Sequence, residues 1–228
     1  MSVRTIKFPR IYHLPTSPGI SSDDKVATNS MLDELSREVV VVTEKLDGEN
    51  TAFFLNDGQI STHARSPNPR PHPSRNYLKR FLSERYVEIA SQPAYYKFFG
   101  EYLYAKHSIE YVDLEDYLYL FAILDASTNY WLAWGKVVAV AKQLRLPVPK
   151  VIYTGKFDTF AIAETFEKYK NSVSHEIEGY VIRPERSFAY NKDVYLAVKW
   201  VRKGHVTTNE HWTTNWYPNK LRGSEDDG

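Results

Sequence analysis

Lys45, in Glu44-Lys45-Leu46-Asp47-Gly48, stands where the run Val39-Val40-Val41-Val42-Thr43 ends. β-Branched residues of that kind suit a buried strand better than a helix. A lysine at a strand end, beside a glycine and between acids, can be held against a bound phosphate; the same residues also make an ordinary turn. Five further stretches carry groups able to share such a site. Arg65 closes a strand that the Asn56-Asp57-Gly58 hairpin signal folds back beside Lys45, so its guanidinium can reach the same pocket. Glu101 sits inside the apolar stretch Phe99-Gly100-Glu101-Tyr102, where a carboxylate must accept hydrogen bonds or meet a cation, and a ligand hydroxyl would satisfy it. The apolar stretch Leu118 to Asp125 holds aromatics that serve either as core or as a surface for a base. Glu178 begins a strand beside Gly179, where a backbone or phosphate can approach closely. Lys199, flanked by Val198 and Trp200, needs an anion if it is buried.

Short antiparallel strands must position these groups. Thr51–Leu55 and Gln59–His63 read as a hairpin, and Lys97–Tyr104, Leu118–Asp125, Glu178–Arg183 and Val194–Val201 read as strands. Residues 8–23, rich in proline, are extended; Asp23 or Asp24 is expected to cap a helix running to about Leu35. Prolines 67, 69, 71 and 73 mark a loop, and Ser74 is expected to cap a helix to about Ala90 with Leu78, Phe81, Leu82, Tyr86 and Ile89 on one face. Trp134–Leu144 and Thr159–Lys170 are further helices, the second capped by Asp158. The fold class is α+β, mostly antiparallel sheets with flanking helices. One domain is expected over 1–223, its N-terminal extended segment and helix (1–36) included, with 224–228 a disordered tail.

Composition bounds the function classes. The chain has 228 residues, 43% hydrophobic, with net charge +1 and no cysteine, which excludes disulfides, thiolate metal sites and a cysteine nucleophile. No apolar run is long enough for a membrane span and the N-terminus lacks a signal-peptide core, so an intracellular place, cytoplasm or nucleoplasm, is expected with no membrane partner. Charge is segregated. Arg65, Arg70, Arg75, Lys79, Arg80 and Arg85 face only Glu84 between them, while Glu110, Asp113, Glu115 and Asp116 cluster without a cation.

Lys-x-Asp-Gly at 45–48, Arg65, Gly-Glu at 100–101, the Phe121 strand, Glu-Gly-x-Val-Ile-Arg at 178–183 and Val-Lys at 198–199, in this order, resemble the covalent nucleotidyltransferase superfamily. Within it the chain is most similar to nick-sealing ATP-dependent RNA ligases. His13-Leu14-Pro15-x-Ser17-Pro18-Gly19, His63-Ala64-Arg65-Ser66 and Glu101-Tyr102-x-Tyr104-Ala105-Lys106-His107-Ser108 add local likeness. The resemblance covers about residues 7–203 and implies a nucleotidyltransferase (ATP-grasp-like ligase) domain.

It implies an ATP-dependent RNA ligase in which Lys45 becomes covalently adenylylated, AMP passes to an RNA 5′-phosphate, and a 3′-OH displaces it. Glu178 supports a divalent metal, Mg²⁺ or Mn²⁺, and Lys199 stabilises the transferring phosphoryl group. Glu101 holds ribose hydroxyls, Arg65 contacts the sugar or phosphate, Phe121 stacks on adenine, and Glu44 and Asp47 belong to the nucleotide site. A neutral amine nucleophile asks for a lowered pKa at Lys45, from cationic neighbours or metal. DNA ligation, GTP-dependent capping and an inactive nucleic-acid-binding relative are the rival readings. Two departures stand out. Val201 occupies a position where the family often has a second lysine, leaving Arg202 or Lys203 to substitute. Too few residues follow Lys199 for an appended OB domain. RNA grip is therefore expected from Arg70, Arg75, Lys79, Arg202 and Lys203, from the aromatic stretch 200–217, or from a partner protein.

Overall fold

The valines of 39–42 point to both faces of their strand, and both faces are covered: Val40, Val41 and Val42 are fully buried. The computed structural model describes residues 6–64, 72–191, 195–204 and 216–223. In chain order its elements are β1 (Tyr12–His13), α1 (Asn29–Ser36), β2 (Val39–Lys45), β3 (Glu49–Asn56), β4 (Gln59–Ala64), α2 (Ser74–Ser83), α3 (Tyr86–Ala90) and β5 (Tyr96–Tyr102). There follow β6 (Leu118–Asp125), β7 (Tyr130–Trp131), α4 (Trp134–Gln143), β8 (Val151–Lys156), α5 (Thr159–Lys170), β9 (Gly179–Pro184), β10 (Phe188–Ala189) and β11 (Val198–Val201).

Two sheets result, one ordered β1-β11-β9-β2-β8 and the other β10-β7-β6-β5-β3-β4. Apart from the parallel β1–β11 pair, every strand pair is antiparallel. The outer face of the first sheet (Val40, Val42, Tyr180, Ile182, Val198) packs on Leu35 of α1 and on Ile162 and Phe166 of α5. The second sheet's outer face (Phe53, Phe98, Leu118, Leu120, Ile123) packs on α2, α3 and α4 through Leu78, Leu82, Ile89, Val137 and Val140. Between the sheets Phe99, Ala122 and Leu124 meet Ala197 and Tyr195, with Phe8 of the N-terminal segment wedged among them. Helices therefore cover the outside of both sheets, and the inner faces look at one another.

Most of the expected elements form, including the hairpin, whose Asp57 and Gly58 take φ of 48° and 75°, the left-handed pair of a type I′ turn. Asp158 caps α5 as expected, its carboxylate accepting from the N–H groups of Phe160 and Ala161. Four expectations need correction. The first helix begins at Asn29 with Thr28 as cap, because the carboxylates of Asp23 and Asp24 are taken up by Ser21 in a turn. The helix expected over 74–90 is two, since the chain turns at Arg85, whose guanidinium lies 3.7 Å from the Phe81 ring and pairs with Asp116. Ser74 is the first helical residue after Pro73 and makes no side-chain cap. The last strand spans only Val198–Val201. β8, an edge strand of mixed exposure, and the two-residue strands β1, β7 and β10 lacked a readable alternation. Residues 66–71 of the proline loop and the tail at 224–228 lie outside the described residues.

Candidate active site

Strand register assembles the site. Lys45 is the last residue of β2 and pairs with Gly179, the first residue of β9, so the preceding Glu178 comes beside it. Gly179 lies between Lys45 and Val201 of β11, and a Cβ there would stand 1.9 Å from the Trp200 carbonyl oxygen. Only glycine permits this approach. Alternation along the strands then puts Lys45, Val181, Arg183 and Lys199 on the inner face. From the other sheet, Glu101 pairs with Asn50 and accepts a hydrogen bond from the Gly48 N–H at 3.2 Å.

Lys45, Gly48, Asn50, Glu101, Val181, Arg183 and Lys199 line a cavity of about 560 Å³ between the sheets, large enough for a nucleotide-sized ligand, and Glu178 reaches it through Lys45. Lys45 Nζ lies 2.5 Å from Glu178 Oε2. Burial works against charge on the lysine, but the carboxylates of Glu178, Glu101 and Asp47 outweigh it and raise its pKa. The cationic surroundings expected for Lys45 are thus replaced by acidic ones. Glu101 is pushed up to about 8, by burial first and then by Glu178 and Asp47, against the pull of Lys45 and of the Gly48 N–H. Its carboxyl thus takes up a proton more readily than an ordinary glutamate, and once protonated it can donate as well as accept a hydrogen bond.

Phe121 reaches the cavity through a bulge. β5 and β6 pair Phe99 with Ala122 and then Gly100 with Leu120, leaving Phe121 out of the ladder. Its carbonyl accepts a hydrogen bond from Arg183 Nη1 of the opposite sheet, and its ring meets Phe8 edge-on at 5.1 Å. Arg183 is itself buried, with its guanidinium 3.9 Å from the Trp134 ring. Burial lowers its pKa, against the raising effect of the neighbouring Tyr195 hydroxyl.

Two other expected positions are engaged elsewhere. Asp47 accepts from the backbone N–H groups of Ser108 and Ile109 at 2.7 and 2.8 Å and so ties the loop after β5 to the Lys45 turn. Glu44 is among the residues lining the cavity, but its carboxylate points to the outer face, where it accepts from Tyr169 (2.5 Å) and lies 2.9 Å from His175 Nε2. That bond raises the His175 pKa. Arg65 and Arg70 lie outside the described residues. Of the other cations expected at RNA, Arg75 pairs with Glu49 at the cavity, Arg202 with Glu176 at 2.8 Å, and Lys79 and Lys203 are exposed.

Residues not anticipated for the site come mainly from the N-terminal segment. Phe8, Arg10, Asp23, Asp24 and Lys25 line the cavity. Their only forewarning was the His13-Leu14-Pro15-x-Ser17-Pro18-Gly19 likeness. Asp24 lies 3.8 Å from Lys199 Nζ and 3.3 Å from His13 Nε2. Burial would raise its pKa, but hydrogen bonds from Ser21 and the charges of Lys199 and His13 bring it below the ordinary value.

The family profile for RNA ligase matches residues 38–201, most of the chain. No curated protein sequence matches. Among solved structures, the Naegleria gruberi RNA ligase with PPi is similar at TM-score 0.52 and 16% identity, over 88% of this chain and 60% of that one. An archaeal ATP-dependent RNA ligase is similar at 0.53 and 16%, over 86% and 48%. A protein from Aquifex aeolicus assigned as an ATP-dependent DNA ligase is similar at 0.53 and 15%, over 88% and 50%. This chain therefore spans about half to three fifths of the length of these structures. The match to the family profile over the very strands that carry Lys45, Glu101, Phe121, Glu178 and Lys199 makes this chain a member of the RNA ligase family, on the fold of the nucleotidyltransferase-type ligases.

Proposed function

We propose that the protein is an ATP-dependent RNA ligase working through Lys45. The observation that carries this is the convergence on one cavity of an amine (Lys45), an aromatic face (Phe121), a carboxyl group (Glu101) and a second cation (Lys199). In the first step Lys45 Nζ attacks the α-phosphorus of ATP. A P–N bond forms, the bond to the bridging oxygen breaks, pyrophosphate leaves, and the amine gives up its proton. An RNA 5′-phosphate oxygen then displaces the lysine, and a 3′-hydroxyl displaces AMP to leave a phosphodiester. Phe121 and Val181 offer apolar contact to the base, Glu101 meets the ribose hydroxyls, and Lys199 balances charge on the phosphates.

The Lys45–Glu178 pair keeps the nucleophile protonated, so adenylylation needs that pairing to loosen. No cluster of three His, Asp or Glu side chains suited to a metal occurs among the described residues. Glu178 would hold a divalent cation together with oxygens of the nucleotide, as magnesium is commonly held by one or two carboxylates plus phosphates. When bound, Mg²⁺ or Mn²⁺ supplies positive charge that favours the neutral amine. Naegleria gruberi RNA ligase mutants of similar fold, solved with ATP and Mn and with AMP and Mn, support this choice of ligands.

Incubation with ATP and a divalent metal, followed by mass measurement of the peptide containing Lys45, tests the reading. One added AMP is expected, and none in Lys45→Met. Absence of the adduct in the parent chain, or its presence in Lys45→Met, overturns the mechanism. The likeness to the Aquifex aeolicus protein favours DNA ligation as a second reading, which sealing assays on nicked DNA and nicked RNA separate. For polynucleotide grip we propose the exposed Lys79 and Lys203, with Arg75, or a partner protein.

A further inference from the structure

The segment from Tyr12 to Ala27 is built onto the strand that carries Lys199. His13 pairs with Lys199 in the parallel β1–β11 ladder, and the Leu14 N–H donates to the Lys199 carbonyl at 2.7 Å. The Ser17 hydroxyl binds both backbone groups of Val201, donating to its carbonyl and accepting from its N–H at 2.9 Å, while the Gly19 N–H donates to the same carbonyl. Ser17 and Gly19 thus extend the edge of β11 without a strand. The chain then turns back on itself, with the Ala27 N–H donating to the His13 carbonyl and the His13 N–H to the Lys25 carbonyl. This return delivers Asp24 to the cavity wall. Ser21 fixes its carboxylate through both N–H (3.1 Å) and hydroxyl (2.8 Å), and His13 Nε2 stands 3.3 Å away.

The carboxylate is consequently held 3.8 Å from Lys199 Nζ, inside the cavity, by a network that leads back to Lys199's own strand. A carboxylate and a phosphate oxygen offer an ammonium group the same thing, a negative charge within ion-pairing range. We propose that Asp24 is a built-in stand-in for phosphate, which holds Lys199 in its working position before a polyphosphate enters and competes with that polyphosphate for it. The proposal rests on the reading that Lys199 meets the phosphates of the nucleotide. Entry of a polyphosphate then requires Asp24 to withdraw, since two anions cannot share the lysine at close range without repulsion. Asp24 and Lys199 are each about a quarter to a fifth exposed, so withdrawal leads toward solvent and needs no core to open.

Calorimetric titration of inorganic pyrophosphate into the parent chain, Asp24→Asn, Lys199→Ala and the double variant tests this. Asp24→Asn is expected to bind pyrophosphate about two- to fivefold more tightly, in line with a partly screened ion pair. That gain should vanish when Lys199 is alanine, because a double-mutant cycle isolates the coupling between the two side chains. Unchanged or weaker binding by Asp24→Asn, with Lys199→Ala still weakening it, overturns the stand-in and leaves the ligase reading in place. An equal gain with and without Lys199 also overturns it, showing only a general relief of negative charge. Lys199→Ala with no effect on pyrophosphate overturns the assignment of Lys199 itself, and the stand-in with it.

Discussion

At the scale of single residues, the site and its surroundings hold buried charges in opposite predicaments. Glu101 has its pKa raised to about 8 by burial and by neighbouring acids. The folded state therefore retains a proton that the unfolded chain loses near its ordinary value. The stability tied to that proton is fully present below the unfolded pKa and is lost as pH rises through about 8. Glu101→Gln is expected to gain stability relative to the parent between pH 5 and pH 9, by on the order of a few kcal/mol, measured as the change in unfolding midpoint across that range. Lys97 is the reverse case. It is 3% exposed, without a hydrogen-bond acceptor among the described residues and stacked 3.7 Å over Phe54, and burial lowers its pKa to about 8. Its cost is fully present below pH 8 and fades as pH rises toward the ordinary lysine value. Lys97→Met should therefore stabilise the protein at pH 7 by about 1–3 kcal/mol, with the advantage shrinking by pH 10 in urea titrations. The predicament of Lys97 is not visible in the sequence, where it only begins a strand; that of Glu101 is signalled by its apolar neighbours, but not the acids that push it further.

At the scale of elements, the start of β9 is the tightest point. Gly179 must fit between Lys45 of β2 and Val201 of β11. Gly179→Ala drives a methyl group into the Trp200 carbonyl, which only separation of β9 from β11 can relieve. A loss of at least about 3 kcal/mol is expected, together with loss of Lys45 labelling by ATP, because Glu178 and Lys199 are carried by these two strands. Calorimetric melting and the labelling assay check the two parts separately. The Glu178-Gly179 pair was legible as a place of close approach. What approaches is the neighbouring strand's backbone, which no property of residues 178–183 announces. The bulge at Phe121 is similar: the apolar run marks a strand, but its register against β5 decides that this ring leaves the ladder.

At the scale of the molecule, the cavity lies between two sheets that face one another, and Phe8 packs between them. Its ring lies 4.9 to 5.4 Å from those of Phe99, Phe121 and Trp131 of the second sheet and of Tyr195 in the segment leading into β11. Phe8→Ala is expected to cost about 3–5 kcal/mol and to weaken ATP binding more than pyrophosphate binding, since the void opens beside Phe121, the aromatic face proposed for the base. Thermal melts and paired titrations with the two ligands would show it.

The sequence by itself determined which residues are chemically equipped and, through β-branched runs, turn residues and helix caps, most of the elements that carry them. Lys45, Glu101, Phe121, Glu178 and Lys199 were all legible because strand ends, buried acids and lysines among apolar residues are local anomalies. Tertiary structure alone decided who their partners are. Strand register set Glu178 against Lys45 and turned Glu44 away to Tyr169 and His175. It also brought Asp24, more than 170 residues away along the chain, to Lys199. The surroundings of Lys45 show the difference most plainly. Its type and place make it the candidate nucleophile, but its surroundings are three carboxylates, two of them from distant segments, and contacts between distant segments are fixed by packing and pairing rather than by any local pattern.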